Sequence, residues 1–322
     1  MTAGEQRRPR LRAPLAAAVA VTLAVAATTL TGCASAGGGT VPGPSGSGSG
    51  RIIQVVAAEN FWGSIAAQLG GTKVAVTDII SNPETDPHSY EPTPQDARSI
   101  AQADLVVVNG IGYDPWATKL AEANPNPAQL LLDVGGLVGI PAGGNPHQWY
   151  SPTAVHEMID QITASYKQLD PSNTAYFDQQ RQAFLTIGMA EYDTLIASIK
   201  AAYGGTPIGG SESIVAPLAQ ALGLDLITPS TFLTAISEGS EPTAADKTTV
   251  DRQITSRQIR IFIYNSQNST PDVQTLVSEA KATGIPVATI TETLTPAEAT
   301  FQQWQVAQLE GIQRALAQAT GR

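Results

Sequence analysis

Cysteine, histidine and basic residues are all scarce in this sequence of 322 residues. The one cysteine, Cys33, excludes a disulfide within the chain. The 18 lysines and arginines are outnumbered by 28 aspartates and glutamates, and the formal net charge is -10. Because nucleic-acid affinity depends on neutralising phosphates with lysine and arginine, this balance argues against a nucleic-acid-binding protein. It equally disfavours direct adsorption to an anionic lipid surface.

The remaining composition is typical of a soluble globular protein, with 42% hydrophobic and 14% charged residues. Short apolar segments alternate with helical patterns, which predicts an α/β fold with parallel sheets. We predict strands at 52–57, 73–80, 105–108, 130–132, 207–210, 224–227, 259–264 and 285–290. Residues 173–203 contain almost no glycine or proline and predict a long helix. The pattern therefore predicts two α/β lobes, residues 51–171 and 204–322, joined by a single long helix over residues 172–203.

The start of the chain has the pattern of an export signal. Several arginines precede an apolar run over residues 13–30, and small residues follow, so we predict a signal peptide over residues 1–32. The run is near the length of a membrane span, which leaves an uncleaved anchor as the alternative. The segment Leu30-Thr31-Gly32-Cys33 resembles a bacterial lipobox, in which Cys33 is lipidated and becomes the first mature residue. Residues 33–50 are rich in glycine, serine and proline and predict a flexible tether after that anchor.

Two of the three histidines lie in loops of matching sequence. His88 follows Pro87, and His147 follows Pro146, each with an aromatic residue two positions later. Proline restricts its own φ and disfavours helix for the residue before it, so both imidazoles belong to stiff loops. Both loops follow predicted strands, and ligands of parallel sheets bind beyond the carboxyl ends of the strands. A single loop histidine is usually an ordinary surface residue, but this repeated arrangement favours a metal site. We interpret the third histidine, His156, as a surface residue of a helix.

These segments resemble the metal-binding solute-binding lipoproteins of bacterial ABC importers for zinc or manganese. The resemblance extends from about Ile52 to Leu316. The segments that carry it are Glu59-Asn60-Phe61-Trp62, Asp86-Pro87-His88, Asn109-Gly110 with Trp116, and Asn145-Pro146-His147-Gln148-Trp149. It implies two α/β lobes joined by one long helix, with one divalent metal ion bound in the cleft between them by two ligands from each lobe.

The resemblance implies a specific set of metal ligands. His88 and His147 match the ligands of the first lobe. Glu212 matches a ligand at the start of a helix, since the pair Gly223-Leu224 follows at the family's spacing, and Glu292 matches an acid after the last strand. The chain departs from the family after Glu212, where members often carry aromatic residues and this helix would contain Pro217. If neither residue binds metal, the Glu212 carboxylate would stabilise the N-terminus of a helix, and Glu292 would be an acidic residue at the surface. We expect Asp86 and Glu91 to shape the first loop rather than to bind metal.

These features favour a binding protein rather than an enzyme. We expect a monomer, lipid-anchored at the outer face of the cell membrane, that captures one zinc or manganese ion and delivers it to an ABC permease and its ATPase. Imidazole and carboxylate ligands suit both ions and do not separate them. The first alternative is an exported metallohydrolase, which would need an open coordination position and a general base. The second alternative is a surface adhesin with the same fold.

Overall fold

The computed structural model describes residues 51–83, 85 and 90–322. The first of its two sheets contains four parallel strands in the order β2-β1-β3-β4. The strands are β1 (Ile53–Glu59), β2 (Val74–Ile80), β3 (Leu105–Val108) and β4 (Leu130–Asp133). Apolar β-branched residues and leucine dominate them, and β3 is buried along its whole length, as expected for a central parallel strand.

The second sheet repeats this arrangement with the strand order β6-β5-β7-β8, again parallel throughout. Its strands are β5 (Pro207–Gly210), β6 (Asp225–Leu226), β7 (Ile261–Asn265) and β8 (Val287–Ile290). Each predicted strand is therefore found, with ends that differ from the prediction by two residues at most.

Helices connect the strands and cover both sheets. Those of the first lobe are α1 (Asn60–Gly70), α2 (Pro94–Gln102), α3 (Pro115–Ala123), α4 (Val134–Val138) and α5 (Pro152–Leu169). The connecting segment contains α6 (Thr174–Ala183) and α7 (Ala190–Tyr203). The second lobe contains α8 (Val215–Leu222), α9 (Ser230–Ser237), α10 (Ala244–Thr255), α11 (Pro271–Ala282) and α12 (Phe301–Thr320).

The segment between the lobes is helical but is not one uninterrupted α-helix. A π-helical turn over Phe184–Gly188 separates α6 from α7, and the amide of Met189 donates to the carbonyl of Phe184 at 2.8 Å. Gly188 lies at this break, where its lack of a side chain lowers the cost of leaving α-helical geometry. The prediction of a long connecting helix thus holds for its extent, whereas its continuity is corrected by the π turn.

The two sheets share not only a strand order but also a register. In the first lobe Val55 pairs with Leu105, and in the second Ile208 pairs with Ile261, at the start of equivalent three-residue runs. When these runs are aligned, Glu59 of the first lobe has the position in its lobe that Glu212 has in the second. The same alignment makes Asn109, directly after β3, equivalent to Asn265 at the end of β7. In both lobes these positions lie where the strand order reverses, the usual ligand-binding point of open parallel sheets.

A continuous hydrophobic core connects the lobes. One cluster of buried side chains includes Trp62 and Trp149 from the first lobe, Tyr192 from α7, and Ile261 and Trp304 from the second lobe. Helix α12 contacts α1 and α7 as well as its own sheet. The described residues belong to one compact unit that extends to Arg322. The lobes are therefore held together by packing and not only by the connecting segment.

The predictions for the start of the chain lie outside the described residues. They comprise the signal peptide over 1–32, the lipidated Cys33 and the tether over 33–50, and they remain predictions. Among the helices of residues 51–83 and 90–322, none combines the length and apolarity needed to cross a bilayer.

Candidate metal centre

Three of the four predicted ligands meet at the carboxyl edges of the two sheets. His147, Glu212 and Glu292 are almost fully buried, with exposed fractions of 0%, 0% and 4%. One potential ligand atom from each lies within 4.8 Å of the others. Within the described part of the chain they form the one such cluster of three histidine, cysteine or acidic residues. His147 belongs to the first lobe and the two glutamates to the second, so the cluster lies between the lobes.

The loop before α5 orients the His147 ring. The Asn145 side-chain amide donates to the carbonyl of Ser213 at 2.7 Å, which leaves its Oδ1 facing His147. That oxygen lies 2.8 Å from His147 Nδ1 and also accepts the His147 backbone N–H at 3.0 Å. Because Asn145 Oδ1 can only accept, Nδ1 carries the proton and Nε2 presents its lone pair. This is the tautomer that a metal-binding histidine requires at Nε2.

Aromatic side chains surround the imidazole. Trp149 lies 5.1 Å from the His147 ring in an edge-to-face arrangement, and it stacks on Phe61 at 4.1 Å. The centroid of the Tyr113 ring lies 6.1 Å from that of the imidazole, also in an edge-to-face arrangement. These fully or nearly buried rings keep bulk water away from the histidine and strengthen any electrostatic interaction in the site.

Glu212 lies in the turn between β5 and α8, not inside a helix. The expectation that Glu212 lies at the start of a helix is therefore wrong by three residues, because α8 begins at Val215. Pro217 is the third residue of α8, where a backbone N–H has no partner within the helix, so the proline costs no internal hydrogen bond. Two serines hold the turn. Ser211 Oγ accepts the backbone N–H of Asn265 at 3.1 Å, and the backbone N–H of Ser213 donates to Ser237 Oγ at 3.1 Å.

Glu292 lies in the loop that follows β8. Its backbone N–H donates to Gln267 Oε1 at 2.6 Å, and the Thr293 N–H donates to the same oxygen at 3.0 Å. The preceding residue, Thr291, donates its N–H to Gln308 Oε1 of α12 at 2.8 Å. Side-chain amides thus satisfy three consecutive backbone donors, which holds this irregular segment in place where no strand partner is present.

Neutral donors surround the two carboxylates. The side-chain amide of Asn265 donates to Glu212 Oε1 at 2.7 Å and to Glu292 Oε1 at 2.8 Å. Asn268 donates to Glu212 Oε2, and the Tyr113 hydroxyl donates to Glu292 Oε2 at 2.9 Å. Burial, with the nearby Glu292 carboxylate as a second cause, raises the pKa of Tyr113 well above its ordinary value, so the hydroxyl remains a donor. These donors solvate two negative charges without cancelling them, an arrangement that favours binding of a cation.

The remaining predicted residues have different positions. His88 and Asp86 lie outside the described residues, so their roles stay predictions. Glu91 is exposed in the segment before α2. His156 is on α5 with its Nε2 3.2 Å from Asp193 Oδ1, and its side chain is 40% exposed, as expected for a surface helix residue.

Sequence reasoning did not identify the residues that orient the ligands. Tyr113, Asn145, Asn265 and Asn268 each contact a predicted ligand, but none was assigned that contact from sequence. One signal was available: an asparagine follows the apolar residues of the third strand in each lobe. A polar residue at that point contributes nothing to the strand's apolar packing, which suggests a role at the ligand-binding edge.

The sequence is similar to those of known proteins. A family model for ZnuA, the zinc-uptake complex component A periplasmic, matches residues 55–315. The manganese-binding lipoprotein MntA of Halalkalibacterium halodurans is 26% identical over 140 residues, 42% of this chain and 46% of the relative. The chain thus matches less than half of that relative's length. The manganese ABC transporter substrate-binding lipoprotein PsaA of Streptococcus anginosus is 25% identical over 257 residues, 74% of this chain and 79% of the relative.

Solved structures show the same fold. The manganese-bound periplasmic metal binding protein from Candidatus Liberibacter asiaticus is similar to this chain with a TM-score of 0.66 and 20% identity. The similarity covers 82% of this chain and 99% of that protein. The predicted fold class, two α/β lobes with parallel sheets, is therefore confirmed. Since the family model matches most of the sequence, the chain belongs to the family of the periplasmic zinc-uptake component ZnuA.

Proposed function

We propose that this protein captures one divalent transition-metal ion outside the cytoplasm and passes it to an ABC permease. Its ligands are His88, His147, Glu212 and Glu292. The proposal rests chiefly on one observation: His147, Glu212 and Glu292 come from three separate loops and both lobes, yet their ligand atoms lie within 4.8 Å of one another in a buried site. Burying two carboxylates side by side is costly unless a cation offsets their charge.

The donor set suits zinc or manganese as the transported ion. Neutral imidazole and carboxylate oxygen are ligands for both, whereas softer ions prefer sulfur. Two glutamates cancel the charge of a divalent ion. The family description names zinc uptake, while MntA and PsaA are named for manganese. We expect binding to weaken in acid, because imidazole and carboxylate must be deprotonated to bind metal.

The proposal includes a place in the cell and partners. The relatives MntA and PsaA are named lipoproteins, and PsaA is named as the substrate-binding part of an ABC transporter. Together with the lipobox-like segment Leu30–Cys33, this supports anchoring through acyl chains on Cys33 at the outer face of the membrane. The permease and its ATPase are the partners that such a component would serve.

The test is metal titration of residues 49–322 after removal of bound ions with a chelator. Calorimetry with zinc and with manganese should show binding of one ion per chain. His147→Ala and Glu212→Gln should each weaken binding by roughly 100-fold or more, because each removes a ligand atom from a buried site. His156→Ala is the matched control, since it removes a surface histidine that is not a member of the cluster, and it should bind as the wild type does.

The result also separates the competing functions. Absence of binding, or binding that both ligand variants retain, would contradict the proposal. A metallohydrolase would show turnover of ester or phosphoester substrates by the metal-loaded protein, and that turnover would disappear in Glu212→Gln. A purely adhesive role would survive loss of His88 and His147 in cells that then fail to acquire metal.

A further inference from the structure

A single buried side chain contacts both acidic members of the proposed metal site. Asn265 is fully buried at the end of β7, and its Nδ2 lies 2.7 Å from Glu212 Oε1 and 2.8 Å from Glu292 Oε1. Its two N–H bonds therefore serve two carboxylates that belong to different loops. Asn265 is 53 positions from Glu212 and 27 positions from Glu292 in the sequence.

The orientation of this amide follows from its other contacts. Asn265 Oδ1 accepts the backbone N–H of Gln267 at 3.0 Å, so the oxygen side is determined and Nδ2 must face the carboxylates. The Asn265 backbone N–H donates to Ser211 Oγ, next to Glu212 in the chain. The amide is thus part of the rigid sheet edge and has no alternative orientation that keeps these bonds.

The second oxygen of each carboxylate has its own donor. Asn268 donates to Glu212 Oε2, and Tyr113 donates to Glu292 Oε2 at 2.9 Å. The terminal torsion of a glutamate side chain is otherwise broad, so a carboxylate can turn to bind an ion with one oxygen or with both. Here hydrogen bonds at both ends of each carboxylate define its plane before an ion arrives.

We infer that Asn265 is a positioning residue that holds the Glu212 and Glu292 carboxylates in one relative orientation and thereby favours four-coordinate zinc over manganese. The inference rests on the proposed function. With one donor atom from each of the four ligands of the proposed function, the site would supply the four-coordinate set that zinc prefers. Manganese prefers more oxygen ligands, which these glutamates would supply by turning to bind through both oxygens. The shared amide opposes rotation of either carboxylate, because the other carboxylate and the Gln267 N–H hold the amide in place and it cannot follow.

The equivalent residue of the first lobe has a comparable contact. Asn109 donates to the carbonyl of Pro146 at 2.9 Å, directly before His147, and accepts the indole N–H of Trp62 at 3.1 Å. In each lobe the asparagine at the point where strand order reverses therefore holds a ligand-bearing loop. This parallel supports a positioning role for Asn265 rather than an incidental contact.

The test compares Asn265→Ala with wild-type protein of residues 49–322 in zinc and manganese titrations. We expect the zinc Kd to rise roughly 10–100-fold, the range for loss of a residue that orients metal ligands. The manganese Kd should rise less, so that the zinc-to-manganese preference falls at least about fivefold. Cobalt(II) in place of zinc should lose the intense visible absorption of tetrahedral coordination. Asn124→Ala, an exposed asparagine after α3, is the matched control and should change neither ratio nor spectrum.

The outcomes distinguish failure of this inference from failure of the proposed function. Equal weakening of both ions with an unchanged cobalt spectrum would show a merely structural role and overturn the inference, as would unchanged affinities. Wild-type protein that binds neither ion would overturn the proposed function and this inference with it. Should Asn265→Ala lose its cooperative unfolding, Asn265→Ser supplies the comparison, because its hydroxyl can donate to only one of the two carboxylates.

Discussion

Several buried acids of the first lobe have pKa values far from those of exposed carboxyl groups. Burial raises the pKa of Asp78 to about 7. Burial also raises the pKa of Asp114 to about 6, an effect that the backbone N–H groups of Asn109 and Gly110 partly offset. Glu59 is fully buried, and burial followed by the nearby Asp114 raises its pKa well above the ordinary value. These acids therefore hold protons in the folded protein at pH values where the unfolded chain has lost them.

Asp78 provides the clearest test of this effect. Its Oδ1 is buried with no hydrogen-bond partner among the described residues, and it lies over Gly63 of α1, where a Cβ would come within 1.6 Å. The folded pKa of about 7 exceeds the ordinary value of 3.8, so the folded state binds the extra proton between these values. The contribution of Asp78 to the free energy of unfolding therefore becomes less favourable as the pH rises from about 4 to about 7, and it is constant above that range.

We predict that Asp78→Asn stabilises the metal-free protein at pH 8 but not at pH 4. Asparagine resembles the protonated aspartate and carries no charge to bury, so the gain should reach the order of 3 kcal/mol at pH 8. Denaturant unfolding at several pH values measures it. Asp225→Asn, at an exposed position of β6, is the control for loss of a carboxylate and should change the free energy of unfolding by no more than about 0.5 kcal/mol. A gain that is the same at both pH values would contradict the assignment of a proton to Asp78.

At the scale of elements, short turns at the strand ends determine where the site residues lie. The turn after β3 is one example: Asp114 accepts the N–H groups of Asn109 and Gly110, each at 2.7 Å. Gly110 has a φ of +69° in the left-handed region, and a Cβ at this position would lie 2.0 Å from Asp133 Oδ1. Asp133 in turn accepts the Gly135 N–H at 2.9 Å at the start of α4. Glycine is required here for both conformation and space.

Gly110→Ala should therefore destabilise the protein more than an alanine at a comparable glycine. Gly139 has the same φ of +69°, but no atom lies within 4 Å of the place where its Cβ would be, so it isolates the conformational cost. We expect Gly139→Ala to lose about 1 kcal/mol and Gly110→Ala roughly 2–4 kcal/mol, because the second variant must also displace Asp133. Thermal or denaturant unfolding measures both. Equal losses would show that Asp133 moves aside at little cost.

At the scale of the whole molecule, the lobes share a hydrophobic core and a set of polar contacts. Asn145 of the first lobe donates to the Ser213 carbonyl of the second, and Tyr113 of the first donates to Glu292 of the second. Helix α12 extends these contacts, since Gln302 and Gln68 of α1 exchange amide hydrogen bonds. Such an interface favours small relative movement of the lobes over a wide hinge opening.

We predict that metal-free protein of residues 49–322 unfolds in one cooperative thermal transition. The shared core couples the lobes, so the calorimetric and van't Hoff enthalpies should agree. Saturating zinc should raise the transition temperature without splitting it, with a stabilisation of about 4 kcal/mol at a free concentration of about 1,000 times Kd. Small-angle scattering should show little change in radius of gyration on metal binding. Two separate transitions, or a large contraction with zinc, would contradict this description.

Much of this architecture is local and could be predicted from the sequence. A short run of apolar residues such as Leu105–Val108 predicts a central strand of a parallel sheet, because such a strand is buried on both faces. The structure has a strand with the predicted bounds, and all four of its residues are buried. Helix α5 begins at Pro152 for a local reason, since proline suits the first turn and the Ser151 side chain accepts the Ala154 N–H. The π turn near Gly188 and the start of α8 at Val215 were not predicted, because tertiary packing and turn geometry decide them.

The candidate site divides in the same way. The sequence alone determined which residue types are present at the strand ends, and loops with proline before histidine indicated a metal site before any fold was known. Only the tertiary structure decided that His147, Glu212 and Glu292 come together, that Asn145 selects the tautomer of His147, and that Asn265 bridges the two glutamates. The physical reason is range: strand and helix patterns arise from neighbours in sequence, whereas the hydrogen bonds that orient Asn145 and that join Asn265 to the two glutamates link residues 27 to 68 positions apart.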